Sequence, residues 1–197
     1  MIRHGETEFN KMGIVQGSGI DSDLNEIGRL QATKFFETHQ HVPFDRIYVS
    51  ELKRTHQSVE PFSVKNIPIE IVPEFNEINW GVLEGQKPSP KQHKLFRETI
   101  LKWRNNELNH SIANGESPLE LYNRQKNGLQ KVLDSSNQHI LICMHGRAMR
   151  SFLCLLTDTP LHQMDKFQHT NLCLYKLTQL DSQKFEILLE NDTSHLS

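Results

Sequence analysis

Apolar residues fall into short strand-length runs separated by longer amphipathic stretches, and this alternation sets the expected architecture. Arg46-Ile47-Tyr48-Val49-Ser50 is β-branched and aromatic, and Ile67-Pro68-Ile69-Glu70-Ile71-Val72 is a second such run, with Pro68 tolerable only near its start. His139-Ile140-Leu141-Ile142-Cys143-Met144 is apolar nearly throughout, the pattern of a strand buried on both faces of a parallel sheet. Residues 25–38 read as a helix whose inner face carries Ile27, Leu30, Phe35 and Phe36, leaving Arg29, Lys34 and Glu37 to water. Ser117-Pro118-Leu119-Glu120 joins a capping serine, a proline at the first helical position and a glutamate three residues after the cap, so a helix should run from there to residue 133. Another helix, 148–156, follows the buried strand. The chain closes with strands over 170–177 and 184–190 about a turn at Asp181-Ser182, and the tail after Asn191 should fray.

Strands alternating with helices, with a hairpin only at the end, give an α/β fold and a mostly parallel sheet. No repeat or low-complexity linker divides the chain, so 1–197 reads as one domain. Residues 86–116 shift to prolines, lysines and an apolar helical patch of Leu95, Phe96, Ile100, Leu101 and Trp103, the mark of a lid insertion. Only Met1 and Ile2 precede Arg3, so the first strand is either very short or preceded by residues outside this sequence.

Composition narrows the function. Hydrophobic residues make up 36% and charged residues 23%, with a formal net charge of −2, which argues against nucleic acid as a partner. No apolar run approaches the roughly 18 residues that span a bilayer, and no charged-then-apolar leader is seen, so the expected location is cytoplasmic and no membrane partner is expected. Cys143, Cys154 and Cys173 lack metal-site spacing and read as buried, reduced thiols.

Three strand-to-helix connections carry the candidate chemistry: Ile2 into Arg3-His4-Gly5, Val49 into Ser50 through Arg54, and Met144 into His145-Gly146. Each sets arginine or histidine beyond the carboxyl end of a strand, where open α/β sheets bind ligands. Ser50 is expected to cap a helix whose first turn is Glu51-Leu52-Lys53-Arg54, an arrangement that attracts an anion. Glu77 joins from the loop after the strand ending at Val72. Two arginines, two histidines and a carboxylate suit phosphoryl transfer, which needs cations around the equatorial oxygens and an in-line nucleophile.

The ordered series Arg3-His4-Gly5-Glu6-Thr7 with Asn10 and Gln16-Gly17, Ser50 to Arg54, Phe75-Asn76-Glu77, Gly81, Glu84-Gly85, Gly115-Glu116-Ser117 and His145-Gly146 resembles the histidine phosphatase superfamily, also called phosphoglycerate mutase-like. The resemblance implies three α/β/α layers around a mostly parallel central sheet with an antiparallel edge strand, plus a helical lid. It implies His4 as nucleophile through a phosphohistidine, Glu77 as general acid, and Arg3, Arg54 and His145 as ligands of the phosphoryl oxygens, His145 drawn towards its protonated form by the anion. Asn10 would touch the phosphoryl group, with Gln16, Gly17 and Gly146 lining the pocket. No metal or cofactor is implied.

The expected substrate is a small-molecule phosphomonoester, and the expected enzyme a metal-independent phosphatase. The loop ends Leu83-Glu84-Gly85 as in phosphatase branches, and where mutases carry a Glu-Arg-His-Tyr-Gly run this chain has Glu77-Ile78-Asn79-Trp80-Gly81. The alternatives are a phosphoglycerate mutase-type transferase, a protein-phosphohistidine phosphatase, a metallohydrolase built on His4, Glu6 and His145, and a non-catalytic binding protein on the same fold. Trp80 and Trp103 are expected to pack between lid and body. The lid lysines and the remaining histidines, His169 among them, receive no role, and the sequence assigns no oligomeric state.

Overall fold

A computed structural model describes residues 1–133, 136–181 and 184–197. Its six strands are β1 (Ile2–Arg3), β2 (Arg46–Val49), β3 (Ile69–Ile71), β4 (Ile140–Met144), β5 (Leu174–Gln179) and β6 (Phe185–Asp192), in the sheet order β3-β2-β4-β1-β5-β6. β1, β2, β3 and β4 run parallel, β5 runs against β1, and β6 runs against β5. The antiparallel strand expected at the edge is therefore one place in, because the closing hairpin turns β6 back to the common direction. Of the expected hairpin turn, Ser182 lies outside the described residues.

Side-chain alternation along the central strands divides the core. Ile2, Ile47, Val49, Leu141 and Cys143 face one cluster with Phe35 and Phe62, while Tyr48, Ile142 and Met144 face another with Phe75, Phe152 and Leu121. After the single turn of α1 (Glu8–Lys11), helices cover both faces: α2 (Glu26–His39) and α3 (Lys53–Val59) on the first, α5 (Pro118–Leu133) and α6 (Gly146–Leu156) on the second. The Ser117 capping box forms as expected, with Glu120 N donating to Ser117 Oγ (3.3 Å) and Ser117 N donating to Glu120 Oε2 (2.8 Å).

Two residues suffice to pair β1. Ile2 and Arg3 lie level with Cys143 and Met144, His4 N donates to Met144 O (2.9 Å), and Met1 exchanges backbone bonds with Tyr175 on the other side. Val49 is also level with Cys143. The strand ends are thus in register, and Arg3-His4, Ser50 and His145 emerge side by side.

Two other expectations are corrected by packing. In α2 the inner face is Gly28, Ala32 and Phe35, while Ile27 and Leu30 are half-exposed. The small residues face inward because the helix lies against the backbone of Glu6, where a side chain at position 28 would collide. The tail is docked rather than frayed: His195 is buried, its Nε2 bonded to Leu172 O (2.8 Å) and its ring edge-on to Phe35.

Within residues 86–116, α4 (Pro90–Arg104) buries Thr99, Ile100 and Trp103. Trp103 stacks on Trp80 at 5.3 Å between ring centroids, and Leu101 points to solvent. The tryptophans thus pack segment to body, as expected.

Candidate active site

The turn after β1 fixes the histidine beside it. His4 Nδ1 lies 2.7 Å from Gly5 O. A carbonyl only accepts, so Nδ1 carries the proton and Nε2 keeps its lone pair. Gly5 N is held by Ser58 Oγ (2.9 Å) from α3. Burial, and then the charges of Arg54 and Arg3, push the His4 pKa well below its ordinary value, so the imidazole is neutral at neutral pH.

Arg54 and His145 form the opposite wall. Arg54 is wholly buried, donating from Nε to His145 Nδ1 (3.1 Å) and from its terminal nitrogens to Ile20 O (2.6 Å) and Gly17 O (3.2 Å). Burial lowers its pKa to about 10, so it remains a cation at neutral pH. The other nitrogen of His145, Nε2, is 2.8 Å from Ser50 Oγ, and the His4 and His145 ring centroids are 5.2 Å apart. With Nδ1 accepting from arginine, His145 is neutral, and burial with Arg54 drives its pKa down. The expected draw of His145 towards its protonated form by the anion belongs to the phosphate-bound site, where a negative charge would oppose the effect of Arg54. Ser50 is not the expected helix cap: α3 starts at Lys53 after Leu52 without a side-chain cap, and the serine hydroxyl serves His145 and accepts from Leu52 N (3.1 Å).

Glu77 is buried at the amino end of α6. Its Oε1 accepts from Ile78 N (2.9 Å) and Ala148 N (2.8 Å), and its Oε2 from Arg147 N (3.0 Å). A helix N-terminus favours that negative charge. That end of α6 follows directly on His145, which sets Glu77 beside the same centre, and its charge opposes the burial effect on Arg3 and Arg54. Arg124, unassigned by the sequence, clamps the loop from behind: it donates to Glu74 O (2.6 Å), Asn76 O (2.9 Å) and Glu77 O (3.0 Å) and pairs twice with Glu116.

The secondary residues divide. Asn10 Oδ1 is taken by Thr7 and Asn171, leaving its NH2 as the donating end. Gln16 is tied at both ends, to Thr7 Oγ1 and Ser22 Oγ, so the structure places it as a support. Gly17 lends its carbonyl to Arg54, and a Cβ there would stand 1.9 Å from Glu84 Oε1. Gly146 opens α6 beneath the ring of His169, where a Cβ would stand 2.8 Å from that ring. His169 Nδ1 in turn meets an Arg3 terminal nitrogen at 3.3 Å. No sequence spacing linked His169 to Arg3; 166 residues separate them. Glu6 bonds Asn25 (2.8 Å), and among the described residues no group of three or more His, Cys, Asp or Glu forms a metal cluster, so the set of His4, Glu6 and His145 gains no support.

The family model for the histidine phosphatase superfamily (branch 1) matches residues 1–193. The chain belongs to the histidine phosphatase superfamily. Phosphoserine phosphatase 1 of Hydrogenobacter thermophilus is 30% identical over 198 residues, covering 100% of this chain and 92% of the relative. The adenosylcobalamin/alpha-ribazole phosphatase of Salmonella typhimurium is 29% identical, covering 88% and 86%. Among solved structures, the alpha-ribazole phosphatase of Shigella flexneri superimposes with a TM-score of 0.83 at 25% identity, covering 97% of this chain and 94% of that one. This histidine phosphatase shares their mixed, mostly parallel sheet with flanking helices.

Proposed function

We propose that this histidine phosphatase hydrolyses a phosphomonoester of a small metabolite through a phosphohistidine formed on His4 Nε2. The observation that carries the reading is the fixed tautomer of His4: Nδ1 is committed to Gly5 O, leaving a neutral, unprotonated Nε2 in a buried site that also feels the charges of Arg54 and Arg3. Nε2 attacks phosphorus in line as the bond to the leaving oxygen breaks, and the proton of a monoanionic phosphomonoester, taken up by the Glu77 carboxylate, passes to that oxygen. A water then gives its proton to Glu77 and attacks phosphorus, releasing phosphate and restoring the imidazole. Arg3 and Arg54 balance the charge on the equatorial oxygens, and the Asn10 NH2 adds a donor. Side chains alone supply this charge, so no metal or cofactor has a step to perform.

Relatives that act on phosphoserine and alpha-ribazole phosphate support a small alcohol phosphoester as substrate. Residues 86–116 act as the lid that excludes water, anchored by the Trp80–Trp103 stack. Three buried thiols without a disulfide suit a reducing cytoplasm.

The test is phosphate release over a panel of sugar phosphates, phosphoglycerates, nucleotides and a phosphohistidine peptide. His4→Ala should lose at least ~10³-fold in turnover together with an acid-labile phosphoenzyme. Unchanged turnover in that variant overturns the mechanism. Interconversion of phosphoglycerates with no release of phosphate would make the protein a mutase.

A further inference from the structure

Next to the phosphoryl site lies a cluster of cations that the mechanism above does not use. Asp165 accepts from three arginines at once: Arg147 (2.6 Å) and Arg150 (2.6 Å) on its Oδ1, and Arg104 Nε (2.8 Å) on its Oδ2. One carboxylate cannot neutralise three guanidinium groups. Arg104 is mostly in water, but the side chains of Arg147 and Arg150 are only 8% and 16% exposed. Arg150 Nε is buried without an acceptor, and so is Arg3 Nε. Buried donors and charges are as a rule paired, so the surplus asks for an anion.

The position of the surplus is informative. Arg147 N donates to Glu77 Oε2, so this residue adjoins the group that protonates the leaving oxygen. The Arg147 guanidinium lies 5.7 Å from the Trp80 ring and 5.4 Å from the Trp103 ring, contacts that hold it in place without neutralising it. His169 joins the two sites, bonded to Arg3 through Nδ1. Burial first, and then the charges of Arg3, Arg150 and Arg147, lower its pKa to about 3, so guanidinium charge from both sites acts on this ring.

We propose that Arg147 and Arg150 form a second anion subsite on the leaving-group side of His4, so that the preferred substrate is a phosphomonoester bearing a second negative group, a carboxylate or another phosphate. The proposal rests on the phosphatase reading above and narrows its substrate class. Asp165 holds the two guanidinium groups in place and competes with the substrate for them.

The experiment compares substrates that differ in the second anion. Phosphoserine is set against phosphoethanolamine for the carboxylate, and fructose 1,6-bisphosphate against fructose 6-phosphate for the phosphate. The full-length protein should prefer the anion-bearing member of one pair by at least about tenfold in kcat/KM, through KM, and the pair showing the contrast names the anion. Arg150→Met should lose about tenfold more on that member than on its partner. Asp165→Asn should lower KM for the anion-bearing member relative to its partner. Equal losses on both members in both variants would mark the cluster as structural and overturn the proposal, as would the absence of any contrast in the unaltered protein. Calorimetric binding of the same ligands to His4→Ala separates the two readings. A contrast in affinity without turnover in the unaltered protein sinks the phosphatase reading alone, and turnover without a contrast sinks the subsite alone.

Discussion

Gly28 shows how a single residue sets the position of the nucleophile. A Cβ there would stand 2.1 Å from Glu6 O and 2.7 Å from Glu6 N, and a Cβ on Gly5 would stand 2.7 Å from Gly28 O. Two backbones touch where α2 crosses the turn after His4. Alanine is better than glycine inside a helix by about 1 kcal/mol. At position 28 the overlap is with backbone that cannot swing away, so the steric cost exceeds that gain. Gly28→Ala is expected to destabilise the fold by about 1–3 kcal/mol and to lower kcat by displacing His4. Urea unfolding with parallel kinetics checks this, and a stabilised, fully active variant would refute it. At this scale Arg3, His4, Arg54, Glu77 and His145 were legible as charged groups at predicted strand ends and on the loop after one. Arg124 and His169 were not, because their meaning lies in partners far along the chain: backbone carbonyls for one, the Arg3 guanidinium for the other.

Among elements, the segment from Pro73 to Gly81 has little regular structure of its own beyond a short 3₁₀ turn, and it is held by its neighbours. Arg124 on α5 ties three of its carbonyls together, and the amino end of α6 holds the Glu77 carboxylate. Arg124→Lys keeps one positive charge but loses the planar fork that reaches several acceptors. It should lower kcat by about 10–100-fold with little change in KM, because Glu77 is misplaced relative to the leaving oxygen. A rise in KM at constant kcat would contradict this role. The helix beginning at Pro118 was readable because its cap is local, written in four consecutive residues. The start of α3 was misread because Ser50, a good cap by type, is claimed by His145 across the sheet.

For the molecule as a whole, three neutral histidines are gathered at one buried centre, and this sets an acid limit. His4, His145 and His169 all have pKa values below 6.5 in the fold, chiefly through burial and then through neighbouring arginines. In the unfolded chain they take up protons near pH 6.5. A depressed histidine pKa means that the unfolded state binds protons first, so stability is fully present above about pH 6.5 and declines as pH falls towards the folded values. Each histidine contributes at most about 1.4 kcal/mol per pH unit in that window. The urea midpoint should therefore drop between pH 7 and pH 5, and His169→Asn should make the drop shallower. A flat profile would show that the three rings are not held neutral.

The sequence by itself determined the α/β alternation, the buried central strand, the Ser117 cap and the identity of the main charged groups. Those depend on local periodicity, local hydrogen bonds and residue chemistry, which adjacent positions specify. Only the tertiary structure decided which face of α2 turns inward, why the tail docks, that β5 rather than the edge strand runs antiparallel, and that His145 is neutral. It also decided that Arg147 and Arg150 share one carboxylate beside Glu77. These outcomes depend on contacts between residues tens to hundreds of positions apart, where close backbone approach and shared charge, rather than local preference, set the lowest free energy.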